Sequence, residues 1–318
     1  MIENYNSEVN RLIDIEKDLF EYINTDEKFI KWSDELKKKL SKKQKIINND
    51  RYILSMYRPF TKKWILYNRD LIARPGKYDN WSSENELLFT TGIGANKEFS
   101  TLITNFVPES ALLSNGQGYS KLVIDSDNKD RIYNFDSIDN LNHEQTFYYI
   151  YGVLHSKHYT QKYKNDLKKS IPRVPNLKNK EKYYQIGKRL AELHLNYEEQ
   201  VSWPGVIVEQ TSTNLNYRVK KMKHPRREVL DTIIYNESIT IKNIPIKAYD
   251  YVINGRPAIE WIIDQYQIKI DKKSGNIDDP NEFSNNPRYI LDLLLSIITV
   301  SMKTLELIEC LPEFELEI

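Results

Sequence analysis

The chain holds 318 residues, 40% hydrophobic and 29% charged, a composition expected of a soluble globular protein with room for one large domain or two small ones. Its net charge of +1 excludes a uniform polycation, so contact with nucleic acid has to come from a local patch. The single cysteine, Cys310, excludes internal disulfides and multi-cysteine zinc sites, and its place on an apolar helix face predicts a small buried hydrophobe. The N-terminus is acidic and lacks the apolar core of a secretory signal. The longest apolar run, ILDLLLSIITV, is too short for a bilayer and contains Asp292, so a cytoplasmic protein is expected.

Residues 1–48 read as two helices. Val9, Leu12, Ile13, Leu19, Phe20 and Ile23 follow one helical stripe; Phe29, Trp32, Leu36 and Leu40 follow another. Six lysines between Lys37 and Lys45 read as a solvated helix face. From Arg51 the character changes to strands: ILSMYRPF, KKWILY, NELLFTTGI, STLITNFV and KLVID are rich in β-branched and aromatic residues and are separated by turn signals such as Asn115-Gly116. Residues 125–142 are polar and read as a surface loop.

Residues 147–200 are the organising stretch. Tyr149, Val153 and Leu154, then Tyr159, Tyr163 and Leu167, make one helical run, stopped by Pro172 and Pro175. Tyr183, Ile186, Leu190, Leu193, His194 and Tyr197 make the second. The tyrosines and His194 read as packing residues of a helical hairpin. Strands return with VIVEQ, NYRVKKM, DTIIYN, SITIKN and AYDYVI. Residues 257–266 read as a helix with Pro257 at its start, 274–287 as a loop, and 288–311 as a long helix with a broad apolar stripe. The expected fold class is α+β: two β-containing lobes bridged by the central helical hairpin, with a long C-terminal helix.

Catalytic constellations are missing from this pattern. There is no Walker A string to cradle ATP phosphates, and no Asn-Pro-Pro-Tyr/Phe string of the amino-methyltransferases. TGIGAN (91–96) is a glycine-rich turn. His155 and His158 could share a helix face, but no H-E-x-x-H spacing or carboxylate partner accompanies them, so packing or exposure is the expectation and no metal is assigned. Two basic stretches stand out instead. The first holds Arg58, Lys62, Lys63, Arg69, Arg74 and Lys77, interleaved with Tyr57, Phe60, Trp64, Tyr67 and Tyr78. The second, YRVKKMKHPRR (217–227), holds Arg218, Lys220, Lys221, Lys223, Arg226 and Arg227 with no acid. Such density in a near-neutral chain suits the neutralisation of DNA phosphates, and arginines can also read guanine edges. Asn96, Lys97, Asn115 and Gln117 lie in loops after the first cluster and are candidates for the same surface, the amides for adenine.

YIYGVLHSKHYTQKYKNDLKKSIPRVP followed by GKRLAELHLNYE resembles the C-terminal region of the Type ISP single-chain restriction-modification enzymes. KWSDELKKKL (31–40), LSMYRPFTKKWILYNRDL (54–71), TTGIGANKEFSTLITNFVPESALLSNGQ (90–117), INGRPAIEWIIDQYQIKIDKKSGNIDDPN (253–281) and PRYILDLLLSIITVSMKTLELIECLP (287–312) are similar to the same region in the same order. The resemblance implies a helical lead-in from a methyltransferase over residues 1–48 and a target recognition domain over 49–318. Within it lie a β-rich lobe (49–142), a helical centre (143–200) and a second β lobe with closing helices (201–318). It implies a non-catalytic part that recognises double-stranded DNA and directs an adenine methyltransferase and a translocating nuclease. S-adenosylmethionine, ATP and Mg would then serve only those other regions, and this chain would bind no cofactor. The alternative is a protein-interaction module that docks on a restriction enzyme as a decoy or inhibitor.

Overall fold

The computed structural model describes residues 1–49, 51–72, 76, 81–125, 130–211 and 216–317. The chain opens with α1 (Ile2–Arg11) and α2 (Asp34–Ser41). Ser33 caps α2 by accepting a hydrogen bond from Leu36 N at 3.2 Å, which sets the start of that helix. The first apolar stripe does not continue as a helix past Arg11. Asp18 takes a left-handed backbone (φ 53°), and residues 12–23 form turns with one short 3-10 segment, Leu19–Glu21.

Strands β1 (Tyr52–Arg58), β2 (Thr61–Leu66), β3 (Leu87–Thr90), β4 (Thr101–Thr104), β5 (Val107–Pro108), β6 (Gln117–Ser120), β7 (Leu122–Ile124) and β8 (Arg131–Tyr133) follow. The central helices are α3 (His143–His155), α4 (Lys157–Lys162) and α5 (Lys180–Leu195). Then come β9 (Ile207–Gln210), β10 (Ile233–Ile234), β11 (Ile239–Lys242), β12 (Val252–Ile253), β13 (Arg256–Pro257), α6 (Ala258–Gln265), β14 (Lys269–Ile270), β15 (Ile277–Asp278) and α7 (Tyr289–Glu309). The architecture is α+β.

The chain divides into two compact units. The first gathers Met1–Leu54, Trp64–Asn80 and Ile268–Asp279. Its core is Tyr5, Val9, Leu12, Leu36, Leu40 and Ile46, with Trp32 edge-on to Tyr5. Glu8 is buried beneath it and held by a two-pronged bond from Arg11 (2.7 and 2.8 Å), which lowers the pKa of the Glu8 carboxyl. One of the six lysines, Lys43, turns back and donates from Nζ to the carbonyls of Leu12 and Ile15.

The second unit comprises Ser55–Lys63, Trp81–Gln267 and Pro280–Ile318. Its first sheet has the order β4-β3-β6, both pairs antiparallel, with Thr90 opposite Thr101 on one side and Gln117 on the other. This sheet lies against α3 and α5, which pack closely on each other. Every residue of α7 from Ile290 to Ser301 except Asp292 is buried, as its nearly unbroken apolar run requires, and the helix packs on α5 and α6. A second sheet, β10-β11-β9, is antiparallel throughout.

Several sequence expectations are corrected here. The first run of the hairpin is broken at Ser156, which caps α4 through a bond from Tyr159 N (3.3 Å), well before the prolines. Tyr159 and Leu167 still point inward, to a cluster with Leu177 and Tyr183. Residues 246–250 form a 3-10 turn rather than a strand. The polar loop after Asp125 contains β8, paired with β7. Cys310 is exposed, because α7 ends at Glu309 and the cysteine lies past its last buried turn. At the β1–β2 turn Phe60 takes φ 55°, a conformation costing a bulky residue about 1–3 kcal/mol. Its ring is buried against His194, Tyr197 and Tyr251, and that burial offsets the strain.

Candidate nucleic-acid interface

The segment expected to be the strand NYRVKKM forms no strand among the described residues. Val219 and Met222 are its two buried anchors, at 0% and 1% exposure, and Arg218, Lys220, Lys221 and Lys223 are all exposed. A spacing of three between anchors does not fit the two-residue period of a strand. The Asn281 side chain takes the place of a neighbouring strand: its Oδ1 accepts from Val219 N (2.8 Å) and its Nδ2 donates to Val219 O (2.9 Å). The segment then closes into a loop at a backbone bridge, Lys223 N to Ile234 O (3.1 Å) and Ile234 N to Lys223 O (2.8 Å).

His224 fastens the base of that loop. Its Nε2 meets Glu260 Oε1 of α6 at 2.9 Å, and its Nδ1 meets Thr232 O at 2.8 Å. The bond to Glu260 raises the histidine pKa, against the opposing effect of burial. Beyond the clasp, Arg226 and Arg227 are exposed. Among the described residues, Lys220, Lys221, Lys223, Arg226 and Arg227 make no ion pair, whereas Arg218 bonds Glu282 at 2.8 Å. These five exposed cations, followed by the exposed Glu228, concentrate positive charge on this segment.

The first basic cluster is arranged differently. Arg58 is paired with Glu109 and lies 4.1 Å above the Tyr57 ring. Lys62 bonds Glu198 at 2.6 Å, with its side chain only 11% exposed. Lys63 approaches the Tyr57 ring at 4.8 Å. Arg69 belongs to the other unit, is exposed and donates to Gly76 O at 3.3 Å. Arg74 and Lys77 lie outside the described residues. Arg58 and Lys62 thus spend their charge inside the second unit.

The loop candidates are brought together by three turns. Gly92 N donates to Ser114 O (3.0 Å), Ser114 N to Asn254 Oδ1 (2.9 Å), and Asn254 N to Ser100 Oγ (2.9 Å). Asn115 uses its amide inside this knot, donating to Ile93 O at 3.1 Å. Asn96 accepts from Ser114 Oγ at 3.1 Å and remains exposed, as do Lys97 and Gln117. A β-carbon on Gly255 would stand 3.1 Å from the Lys97 side chain. Residues 254–260 therefore touch both candidate regions, Lys97 at one end and His224 at the other. Between them Arg256 pairs with Asp264 (3.2 Å) and lies 4.9 Å above the Trp261 ring. The sequence reading missed Asn254 and Arg256. Asn254-Gly255 is a turn signal that could have marked them, since both take positive φ.

Among the histidines of the central helices, His194 belongs to packing, whereas His143 and His158 are exposed. His194 is 1% exposed, with Nδ1 2.6 Å from Tyr151 Oη and Nε2 2.8 Å from Thr304 Oγ1. Burial holds its pKa well below the ordinary value, and the neighbouring His155 adds to the effect. Among the described residues no cluster of three or more His, Cys, Asp or Glu side chains is placed to hold a metal, and no helix is long and apolar enough to cross a membrane.

The chain superposes on a nuclease-deletion mutant of the Type ISP restriction-modification enzyme LlaGI, solved in complex with a DNA substrate mimic. The TM-score is 0.89 at 49% identity, over 100% of this chain and 26% of that one. It superposes on the ATP-dependent Type ISP enzyme LlaBIII, solved bound to DNA, with a TM-score of 0.86 at 44% identity, over 99% of this chain and 22% of that one. A DrdV–DNA complex matches with a TM-score of 0.84 at 20% identity, over 99% of this chain and 33% of that one, a likeness of fold alone. The chain thus spans about a quarter of the length of the Type ISP enzymes it matches. No curated protein sequence matches it. The family pattern of the Type ISP C-terminal specificity domain covers residues 1–293, and the chain belongs to that family.

Proposed function

We propose that this chain recognises a double-stranded DNA target for a restriction-modification system. It is the specificity part, without catalysis of its own. It directs an adenine methyltransferase and a translocating nuclease held in other regions, to which S-adenosylmethionine, ATP and Mg belong. On this reading residues 1–48 lead in from the methyltransferase and residues 49–318 are the target recognition domain. The observation that carries the proposal is the loop 220–227, with five exposed cations that make no ion pair among the described residues. Its support comes from the family and from two relatives whose structures hold DNA.

The division of labour follows from charge and reach. Lys220, Lys221 and Lys223 neutralise phosphates and hold register, which carries no sequence information directly. Arg226 and Arg227, beyond the clasp, and the amides of Asn96 and Gln117 have the donors and acceptors for base edges. Three phosphate contacts give a slope of about −3 in log K against log salt, at ~0.9 per contact.

The test is selection from a random duplex pool at several salt concentrations, followed by grafting the chain in place of the matching region of LlaGI. We expect an enriched asymmetric site, and methylation by the graft at that site. A pool that shows neither enrichment nor salt-dependent binding would sink the proposal, and methylation at the parent enzyme's site would remove the directing role.

A further inference from the structure

A third basic stretch follows α3, and neither cluster described above includes it. Residues 157–180 carry eight Lys or Arg and one acid, Asp166. The fold sorts them by environment. Lys178 and Lys180 pair with Glu315 and Glu317, and Lys162 stands 5.4 Å from the centroid of the Phe314 ring. Lys164 and Lys168 instead line a cleft of about 130 Å³, between α4 with the turn after it and the glycine turn 91–97. Gly94 N donates to Lys168 O at 2.9 Å and ties the two walls together. Leu167, buried between the two lysines, and Phe99 pack into the apolar cluster of Tyr159 and Leu177.

Three ammonium groups and one carboxylate line this cleft: Lys97, Lys164, Lys168 and Glu98. Glu98 bonds Lys164 at 3.1 Å, but the two side chains are 80% and 59% exposed. Such a surface pair contributes little, so a phosphate can displace Glu98 from the lysine. Lys97 and Lys168 are exposed and make no ion pair among the described residues. Asp166 lies on a different cleft, with Arg173. The lining therefore carries an excess of positive charge, and all of it is presented to solvent.

These groups also select the ligand. An ammonium is a point charge with three rotatable donors, suited to phosphate oxygens rather than to the paired edge of a base. The volume is below the roughly 300–1,000 Å³ of sites that enclose an organic ligand. Asn96, the neighbour of Lys97, is exposed and carries an amide suited to base edges. From this arrangement we propose that the cleft takes a phosphate of the DNA backbone, with Lys97, Lys164 and Lys168 as its donors. The proposal rests on the reading that the chain recognises DNA. It adds a second phosphate-contact region to the loop 220–227, and each lysine engaged steepens the salt slope by ~0.9 beyond the loop's own.

The test is binding of the full chain to the selected duplex at several salt concentrations. Lys164→Gln and Lys168→Gln should each lower the slope by about 0.9. Neither should change the melting temperature or the discrimination between cognate and scrambled duplexes. Glu98→Gln, which removes the opposing carboxylate, should tighten binding. Lys182→Gln, at an exposed position of α5, is the charge-matched control and should leave the slope unchanged. Ethylation of backbone phosphates maps the contact: a position whose ethylation weakens the parent chain should no longer matter to Lys168→Gln. A parent chain that binds no duplex in a salt-dependent way defeats the DNA reading, and this proposal with it. A parent that binds, with a slope that Lys164→Gln and Lys168→Gln leave unmoved or that Lys182→Gln lowers equally, overturns the cleft alone. So does a melting shift given by inorganic phosphate over chloride of equal ionic strength and lost in Lys168→Gln, with DNA binding unaffected; that result makes the cleft a free-anion site.

Discussion

Gly152 on α3 and Gly187 on α5 face one another at a crossing that has no room for a side chain on either. A β-carbon on Gly187 would lie 1.9 Å from Tyr148 O and 2.7 Å from Gly152 N, and one on Gly152 would lie 2.3 Å from Tyr183 O. The obstacles are backbone atoms, which cannot swing aside as a side-chain tip can. Gly187→Ala should therefore push the helices apart and destabilise the chain by at least the ~1–3 kcal/mol typical of overpacking. Urea unfolding is the measurement, with Gly205→Ala as the comparison for steric crowding. Nothing lies within 4 Å of a β-carbon there, although its φ of +88° adds a backbone cost of its own.

Lys62 offers a second contrast. Its ammonium is shielded and bound to Glu198, which also accepts from Tyr289 Oη at 2.7 Å. Lys62→Met should lower stability by about 1.5–3 kcal/mol, the usual loss for a bond to a charged group. Discrimination between DNA sequences should be unchanged at a temperature where the variant is folded. Circular dichroism melts and paired binding assays on cognate and scrambled duplexes decide it; a selective loss on the cognate duplex would return Lys62 to the interface.

For the exposed loop the expectation reverses. Lys220→Gln and Lys221→Gln should leave the melting temperature unaltered and each reduce the salt slope of DNA binding by about 0.9. Arg226→Ala or Arg227→Ala should instead narrow the gap between cognate and scrambled duplexes, by about 1–3 kcal/mol for a lost two-bond base contact. Equal losses on both duplexes would make the arginines backbone contacts.

Two histidines give the chain opposite responses to pH. His194 has a folded pKa below its unfolded value of about 6.5. The unfolded chain takes up the proton first, so global stability is full above that value and falls as pH drops from 7 toward 5. His224 has a raised folded pKa, owing first to its bond with Glu260. Its contribution is full below the unfolded value and is lost as pH rises through the folded one. Urea unfolding should report the first effect. Hydrogen exchange at Lys223 and Ile234, corrected for intrinsic rates, should report the second as weaker protection at pH 8 than at pH 6. Glu260→Gln should abolish only the second.

The parts of the fold legible in the sequence are those in which one long pattern dominates. Helix α7 was expected at 288–311 and spans Tyr289–Glu309, and the stripe of Tyr183, Ile186 and Leu190 marked α5. Breaks set by single side chains were not legible. Ser156 restarts a helix with a hydroxyl bond, and Asn281 replaces a neighbouring strand, from 62 residues away, for Val219. Strand β6 was hidden by Asn115-Gly116, read as a turn signal immediately before it. A β-carbon on Gly118 would stand 3.0 Å from the tip of the Leu87 side chain, so a larger residue there would need Leu87 to shift. Sequence density marked two basic clusters as candidates, but it could not separate cations that face solvent from Arg58 and Lys62, whose carboxylates are 51 and 136 residues distant.

The anchoring of the basic loop bears on how such a chain can change its target. Val219, Met222, the Lys223–Ile234 bridge and the His224 clasp hold the segment, and the outward side chains of Lys220, Lys221, Arg226 and Arg227 have no packing duty. Substitutions at these four positions are thermodynamically cheap, because surface changes away from buried contacts usually stay within about ±0.5 kcal/mol. On the proposed reading, new outward chemistries can be sampled at these positions one residue at a time without loss of the fold that carries them.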